Sequence, residues 1–262
     1  VIVAGLQLDV GWETPRESFA RARVQAARAA AAGARLLVLP EMFSTGFTMN
    51  AALAASFAAA SREVVVELAR GHSVWVAAGL AEPGLERPRN ACVVVSPAGD
   101  ELLTYHKIHP FSLAGEERHF EAGDSLSTVD VEGVRVTPVI CYDLRFPELF
   151  RIAADRTDLF LVLANWPERR GHAWRTLLKA RAVDSQAYVL GVNRVGDADG
   201  HPHRGDSALV DPSGSVLAAV AGGEGLVLGE VSAAEVAESR ERFGFLADRR
   251  PDVYRRLGGG PE

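Results

Sequence analysis

The stretch VTPVICYDLRFPEL, Val136 to Leu149, changes character in its middle. Apolar and β-branched residues run up to Ile140, Cys141 follows, and a charged segment leads on to Pro147. Val, Thr and Ile suit a pleated, half-buried strand, whereas Pro with its fixed φ suits the first turn of a helix. The stretch is therefore predicted to be a strand, a turn and a helix, with Cys141 at the joint. Such a joint lifts a nucleophile clear of a sheet, and a helix N-terminus beyond it favours thiolate over thiol. The competing reading is a buried, inert cysteine. The chain's other cysteine, Cys92, lies inside the strand-like run NACVVVSP and is read as structural.

The same reasoning extends to both sides. Val1 to Val10 is a strand without the basic n-region of a signal peptide. Thr14-Pro15 reads as a helix start and Gly33 as its end. RLLVLP (35–40) is a buried strand halted by Pro40, Ala51 to Arg70 a second helix, and SVWVAAGLAE the next strand. Hairpins are expected around Ser96–Asp100, around Glu132-Gly133 and in SALVDPSGSVLAAV. Pro147 to about Arg156 and His172 to Gln186 are helices, DLFLVLAN and AYVLGVNRV strands, and GLVLGEV closes the sheet. Helices alternate with strands in each half, and the continuous apolar strands suit sheets covered on both faces. The fold class is accordingly α/β, a four-layer α-β-β-α sandwich. One domain is expected over 1–262, with a polar, Arg-rich tail from about Ser232, read as a helix and then an extended arm and suited either to a partner subunit or to solvent.

Composition excludes some classes of function. A net charge of −6 disfavours a nucleic-acid partner. No apolar run is long enough for a bilayer, so no membrane role is expected. Two cysteines in 262 residues are too few for a disulfide framework and point to a reduced, cytoplasmic setting. There is no H-E-x-x-H and no paired C-x-x-C, and His201 and His203 fall in a Gly-rich loop, so no metal is expected.

The surroundings of Cys141 can be tested against known nucleophile motifs. A phosphatase loop needs Arg six residues after the cysteine, but Pro147 stands there, and the loop lacks phosphate-cradling glycines. His106, His109, His119 and His172 are placed where a Cys–His pair is conceivable, yet no papain or caspase signature surrounds Cys141. Glu41, at the end of LLVLPE, is a better partner: a carboxylate pushed to the end of an apolar strand is partly desolvated, which suits a general base. Lys107, in TYHKIHPF, also ends a strand. Only two lysines occur, Lys107 and Lys179, among many arginines, and a lysine offers an oxyanion a compact point donor where arginine offers a planar fork. A base, an oxyanion donor and a nucleophile thus stand at the ends of separate strands, where sites in open α/β sheets collect. That combination serves acyl transfer.

LPE around Glu41, YHKIHPF around Lys107 and ICYDLRFPEL around Cys141 resemble the three signature regions of the nitrilase superfamily, the carbon–nitrogen hydrolases. LPEMFSTGFTMN, NWPERRGHAWRTLLKARAVDSQAYVLGVNRVG and HRGDSALVDPSG are most similar to its bacterial ω-amidase (2-oxoglutaramate amidase) branch. The resemblance implies the sandwich fold, a Glu41-Lys107-Cys141 triad, and a homodimer. It also implies a second glutamate in FSLAGEERHF, at Glu116 or its neighbour Glu117. The reaction it implies is hydrolysis of the terminal amide of small 2-oxo dicarboxylic acid monoamides through a thioester, with no cofactor, the backbone N–H of Tyr142 joining Lys107 as oxyanion donor. Arg145 then either grips the substrate carboxylate or braces the turn against Asp143 or Glu148. Arg169, Arg170 and Arg204 are further candidates, or solvated charges. Phe43, Phe111 and Trp166 are candidate walls of a small pocket. The rivals are another carbon–nitrogen hydrolase (aliphatic amidase, nitrilase or N-carbamoyl-amino-acid hydrolase) and a catalytically inactive binding member.

Overall fold

A computed structural model describes residues 1–258; the last four residues of the expected domain and of its tail, 259–262, lie outside the described residues. The first half runs β1 (Ile2–Gln7), α1 (Pro15–Ala31), β2 (Leu36–Val38), α2 (Ala51–Ser56), α3 (Ala58–His72), β3 (Trp75–Glu82), β4 (Arg89–Val95), β5 (Glu101–His106) and a single turn, α4 (Glu116–His119). The second runs β6 (Val129–Val131), β7 (Val134–Ile140), α5 (Pro147–Ala153), β8 (Leu159–Ala164), α6 (Gly171–Ser185), β9 (Tyr188–Asn193), β10 (Val195–Ala198), β11 (His201–Arg204), β12 (Ser207–Val210) and β13 (Val216–Val220). The chain then returns to the first sheet as β14 (Gly225–Glu230) and ends in α7 (Ala233–Arg242) and α8 (Pro251–Leu257).

Two six-stranded sheets result, ordered β14-β1-β2-β3-β4-β5 and β13-β12-β9-β8-β7-β6. Each has three parallel central strands flanked by antiparallel ones. The inner faces share a core in which Val38, Cys92 and Tyr105 of one sheet are clustered with Val136, Leu161 and Leu190 of the other. The outer face of the first sheet is covered by α1 and α3, through Phe19, Ala22, Ala26, Val64 and Leu68. That of the second is covered by α5 and α6, through Phe150, Trp174, Leu178 and Ala182. The four-layer sandwich follows directly from strands that are apolar on both faces.

Local signals explain most boundaries. Pro15 opens α1, and apolar residues at positions 19, 22, 26 and 29 line its buried side. Its end is a Schellman turn: Gly33 adopts φ +87°, its N–H donates to the Ala30 carbonyl, and that of Ala34 to Ala29.

Three expectations are corrected. The single helix over 51–70 is broken at Phe57, because α2 turns Ala54 toward Met42 and Phe120 while α3 turns Val64 and Leu68 toward the first sheet. The Gly-rich loop expected around His201 and His203 belongs to a two-stranded ribbon, β10–β11, closed by Asp199 and Gly200, both at positive φ, as a type I′ hairpin turn requires. The tail begins with the expected helix, α7, but goes on to a second helix, α8, in place of an extended arm, and α7 packs on its own chain: Val236 is buried, and Arg240 donates to the carbonyls of Ala154, Thr157 and Gln186.

Candidate active site

The first sheet brings Glu41 and Lys107 to one edge. After β2 the chain turns sharply, with Met42 at φ +43°, and the Phe43 N–H donates to the Gly79 carbonyl of β3 at 2.8 Å. A Cβ on Gly79 would lie 2.6 Å from the Glu41 Cα, so only glycine permits this approach. The turn delivers the Glu41 carboxylate to a completely buried position. Lys107, just past β5, is 1% exposed and donates to Glu41 Oε1 at 2.9 Å and to Glu116 Oε2 at 2.8 Å. Glu116, on α4, is also fully buried, while Glu117 is exposed and 3.5 Å from Arg118.

Two asparagines complete this cluster, and neither is singled out by sequence motif. Asn90 Nδ2 donates to both Glu41 Oε1 (2.7 Å) and Glu116 Oε1 (2.9 Å). The Asn165 N–H, just past β8, donates to Glu41 Oε2 at 2.9 Å, and Asn165 Nδ2 to the Glu41 carbonyl at 2.6 Å. Burial alone would discharge Lys107, but the carboxylates of Glu116 and Glu41 outweigh it and hold the ammonium charged. Burial, with Glu41 adding, pushes Glu116 up against the pull of Lys107 and Asn90.

The second sheet brings Cys141. It follows β7 at φ +47°, a left-handed conformation that a side chain adopts only under constraint, and opens a 3₁₀ turn over Cys141–Arg145. The constraint is Asp143, fully buried, which accepts from the Ile140 N–H (2.9 Å), the Tyr105 hydroxyl (2.7 Å) and the His109 N–H (3.0 Å). The His109 ring also reaches Asp143 and stacks on Phe146 at 3.6 Å. Asp143 thereby ties the cysteine turn to the segment that carries Lys107. The Cys141 sulfur lies 3.9 Å from the Asn165 carbonyl oxygen.

Burial and the neighbouring carboxylate, not a helix N-terminus, govern the Cys141 thiol. Burial raises the Cys141 pKa well above the usual thiol range, and the Glu41 carboxylate adds to the rise against the opposing pull of Lys107. The helix that was to favour the anion, α5, starts only at Pro147, beyond the 3₁₀ turn. Cys141 therefore rests as a thiol that needs a base. Cys92 is buried between the sheets, its pKa raised first by burial.

Cys141 opens into a cavity of about 220 Å³ lined by Trp12, Phe47, Phe111, Tyr142 and Trp166, with the exposed Arg145, Arg169, Asp199 and His201, the half-buried Arg170 and the buried His203 also lining it. Phe111 and Trp166 stand where expected. Phe43 does not: it is fully buried on the opposite, helix-facing side, 5.8 Å from the Phe19 ring, because the turn at Met42 directs it there and leaves Phe47 to face the cavity. Arg145 is not a brace: among the described residues it forms no ion pair, and its guanidinium lies 5.0 Å from the centre of the Trp166 ring. Arg204 is outside the cavity, 3.5 Å from Asp206. His203, on β11, is buried, and that burial pushes its pKa down to about 4, so the ring is neutral near pH 7.

Residues 2–241 match the family described as carbon-nitrogen hydrolase. The chain belongs to the carbon–nitrogen hydrolases. It is 42% identical over 219 residues to the omega-amidase YafV of Yersinia enterocolitica, covering 81% of this chain and 83% of that one. It is 30% identical over 256 residues to the 2-oxoglutaramate amidase of Bacillus subtilis, covering 96% and 98%. Among solved structures, a CN-hydrolase superfamily protein of Xanthomonas campestris superposes with a TM-score of 0.89 at 29% identity, covering 95% of this chain and 97% of that one. A mutant amidase of Nesterenkonia sp. AN1, whose active-site cysteine has taken up the acetamide moiety of fluoroacetamide, superposes at 0.87 with 25% identity, covering 98% and 96%. This carbon–nitrogen hydrolase acts on amides. No helix among its described residues is long and apolar enough to cross a membrane.

Proposed function

We propose that this carbon–nitrogen hydrolase cleaves the terminal amide of small 2-oxo dicarboxylic acid monoamides, 2-oxoglutaramate and 2-oxosuccinamate, to the acid and ammonia. The observation that carries this reading is one cavity shared by a cysteine and arginine side chains, the cysteine standing next to a buried Glu–Lys–Glu cluster. A cysteine next to a base suits an amide carbonyl, and free guanidiniums suit a carboxylate at the other end of a short substrate. The names of the relatives point the same way.

The proposed course is acyl transfer. Glu41 takes the Cys141 proton as the sulfur attacks the amide carbon, and Lys107 with the Tyr142 N–H receives the charge that develops on oxygen. Each preorganised donor of this kind is worth about 3 kcal/mol in the transition state. The C–N bond breaks, the nitrogen leaves as ammonia with the proton returned by Glu41, and a thioester remains. Water, deprotonated by Glu41, attacks the thioester; the acid departs and Cys141 regains its proton. Glu116 and Asn90 hold Glu41 and Lys107 in place throughout. No metal or organic cofactor is assigned a step.

We further place the protein in the cytoplasm, where its free thiols stay reduced, and propose that it forms a homodimer. Ile152, Val183, Val216 and Leu217, exposed on α5, α6 and β13, support an apolar contact, and light scattering would return twice the chain mass.

Ammonia release from purified protein tests the substrate assignment. The two oxo-amides should exceed a nitrile, a simple aliphatic amide and a carbamoyl amino acid in kcat/KM. No turnover of either oxo-amide would sink the assignment in favour of another carbon–nitrogen hydrolase, and no turnover of any compound would favour the inactive binding member.

A further inference from the structure

The cavity carries a second guanidinium that the proposed mechanism does not use. Arg170, in the 3₁₀ turn Glu168–Arg170 after β8, lines the same cavity as Cys141 and Arg145. Its guanidinium lies 5.1 Å from the centre of the Phe111 ring, as that of Arg145 lies 5.0 Å from the Trp166 ring. Its carbonyl accepts from Trp166 Nε1 at 2.9 Å, so the two aromatic supports and Arg170 form one unit. Arg170 is half-buried where its neighbour Arg169 is exposed, and among the described residues it has no acidic partner. Burial lowers its pKa, with the nearby charges of Arg169 and Arg145 contributing. An arginine held in this way, desolvated and beside like charge, lacks a counter-anion that a ligand would supply.

The chemistry of a 2-oxo acid head group fits two such cations. Its carboxylate presents two acceptors, which one planar fork takes bidentately. The adjacent 2-oxo group adds a third oxygen that only accepts, and it requires another donor. Arginine has donors and no acceptor, so a second guanidinium matches that oxygen and opposes the 2-ammonium of the corresponding amino-acid amide. The opposing feature is Asp199, whose carboxylate also lines the cavity. It is exposed on the ribbon turn and faces a site that also holds three arginines, while His203 adds no charge near pH 7.

Resting on the oxo-amide reading above, we propose that Arg170 is a specificity-determining residue: it binds the 2-oxo oxygen of the substrate, while Arg145 takes the carboxylate, and together they reject a 2-ammonium group. The test compares kcat/KM for 2-oxoglutaramate, for glutaramate, which keeps the carboxylate but has no 2-oxo group, and for glutamine. In Arg170→Gln the ratio of 2-oxoglutaramate to glutaramate should fall by about tenfold to a hundredfold, and the ratio of glutamine to glutaramate should rise. Arg170→Lys, which keeps the charge but not the fork, should restore the rejection of glutamine more fully than the oxo preference. Arg145→Gln should weaken 2-oxoglutaramate and glutaramate together. Because each ratio is internal to one preparation, loss of folded protein does not move it. An unchanged oxo-to-deoxo ratio in Arg170→Gln overturns the proposal, as does wild-type enzyme that uses glutamine as well as 2-oxoglutaramate. Wild-type enzyme that releases ammonia from butyramide but from neither oxo-amide overturns the parent reading instead, and this one with it.

Discussion

At the inner end of the site, Glu41, Lys107 and Glu116 are at most 1% exposed, and each carboxylate oxygen has a donor from Lys107, Asn90, Asn165 or Phe111. At the mouth, Arg145 is exposed and rests on an aromatic face without an ionic partner among the described residues. The first arrangement is buried and held by hydrogen bonds, so its charges act strongly and need little reorganisation when the reaction occurs. The second is solvated and leaves its donors for a ligand. Removing a group from the inner end should therefore cost kcat, and removing one from the mouth should cost KM.

The largest effect expected is at the inner end. Cys141→Ser or Glu41→Gln should lower kcat/KM by about 10⁴-fold or more, and Cys141→Ser should show no acyl adduct in intact-mass spectra after mixing with substrate. Unchanged turnover in Cys141→Ser would remove the nucleophile assignment. Asn90→Ala removes the donor shared by both glutamates, and a loss on the order of a hundredfold in kcat with little change in KM is expected. A change confined to KM would show that the two ends are not separated as described. Arg145→Gln should do the reverse, raising KM for an oxo-amide by roughly tenfold or more while kcat is largely kept.

A smaller effect concerns stability against pH. His203 is held neutral, with a folded pKa of about 4. Its unfolded form protonates near pH 6.5, so the unfolded chain binds the extra proton between those values and stability falls as pH drops through that window. About 2 kcal/mol should be lost between pH 7 and pH 5. Denaturant melts at the two pH values should show a smaller difference in His203→Asn; an equal difference would assign the loss to other groups. The smallest effect belongs to Cys92→Ala, where kinetics should stay within about twofold and stability should fall by about 1 kcal/mol. A large kinetic effect there would mean that the inter-sheet core, and not only the strand ends, sets the site.

Much of this comparison is legible along the chain. A β-branched run ending in cysteine before a Pro-started helix fixes the elbow at Cys141, and the apolar strands ending in Glu41 and Lys107 mark two further positions, because strand period and Pro geometry are local properties. The Asp199-Gly200 pair also carried a hairpin signal, masked by the polar, Gly-rich composition around it. Asn90 and Asn165 carried none. They reach Glu41 across 49 and 124 residues of chain, and a neutral amide in a strand has no spacing rule that reveals its partner.

What the sequence by itself determined is the set of elements, the sandwich they must form to bury two apolar sheets, and the residue types at three strand ends. The tertiary structure alone decided how those ends are used. It turned Phe43 to the helix-facing core and Phe47 to the cavity, buried Glu116 while exposing Glu117, and kept Cys141 a thiol beside a carboxylate. It left Arg145 and Arg170 facing open space. Each of these depends on which groups distant strands bring within about 3–5 Å, and desolvation and charge coupling act only over such distances.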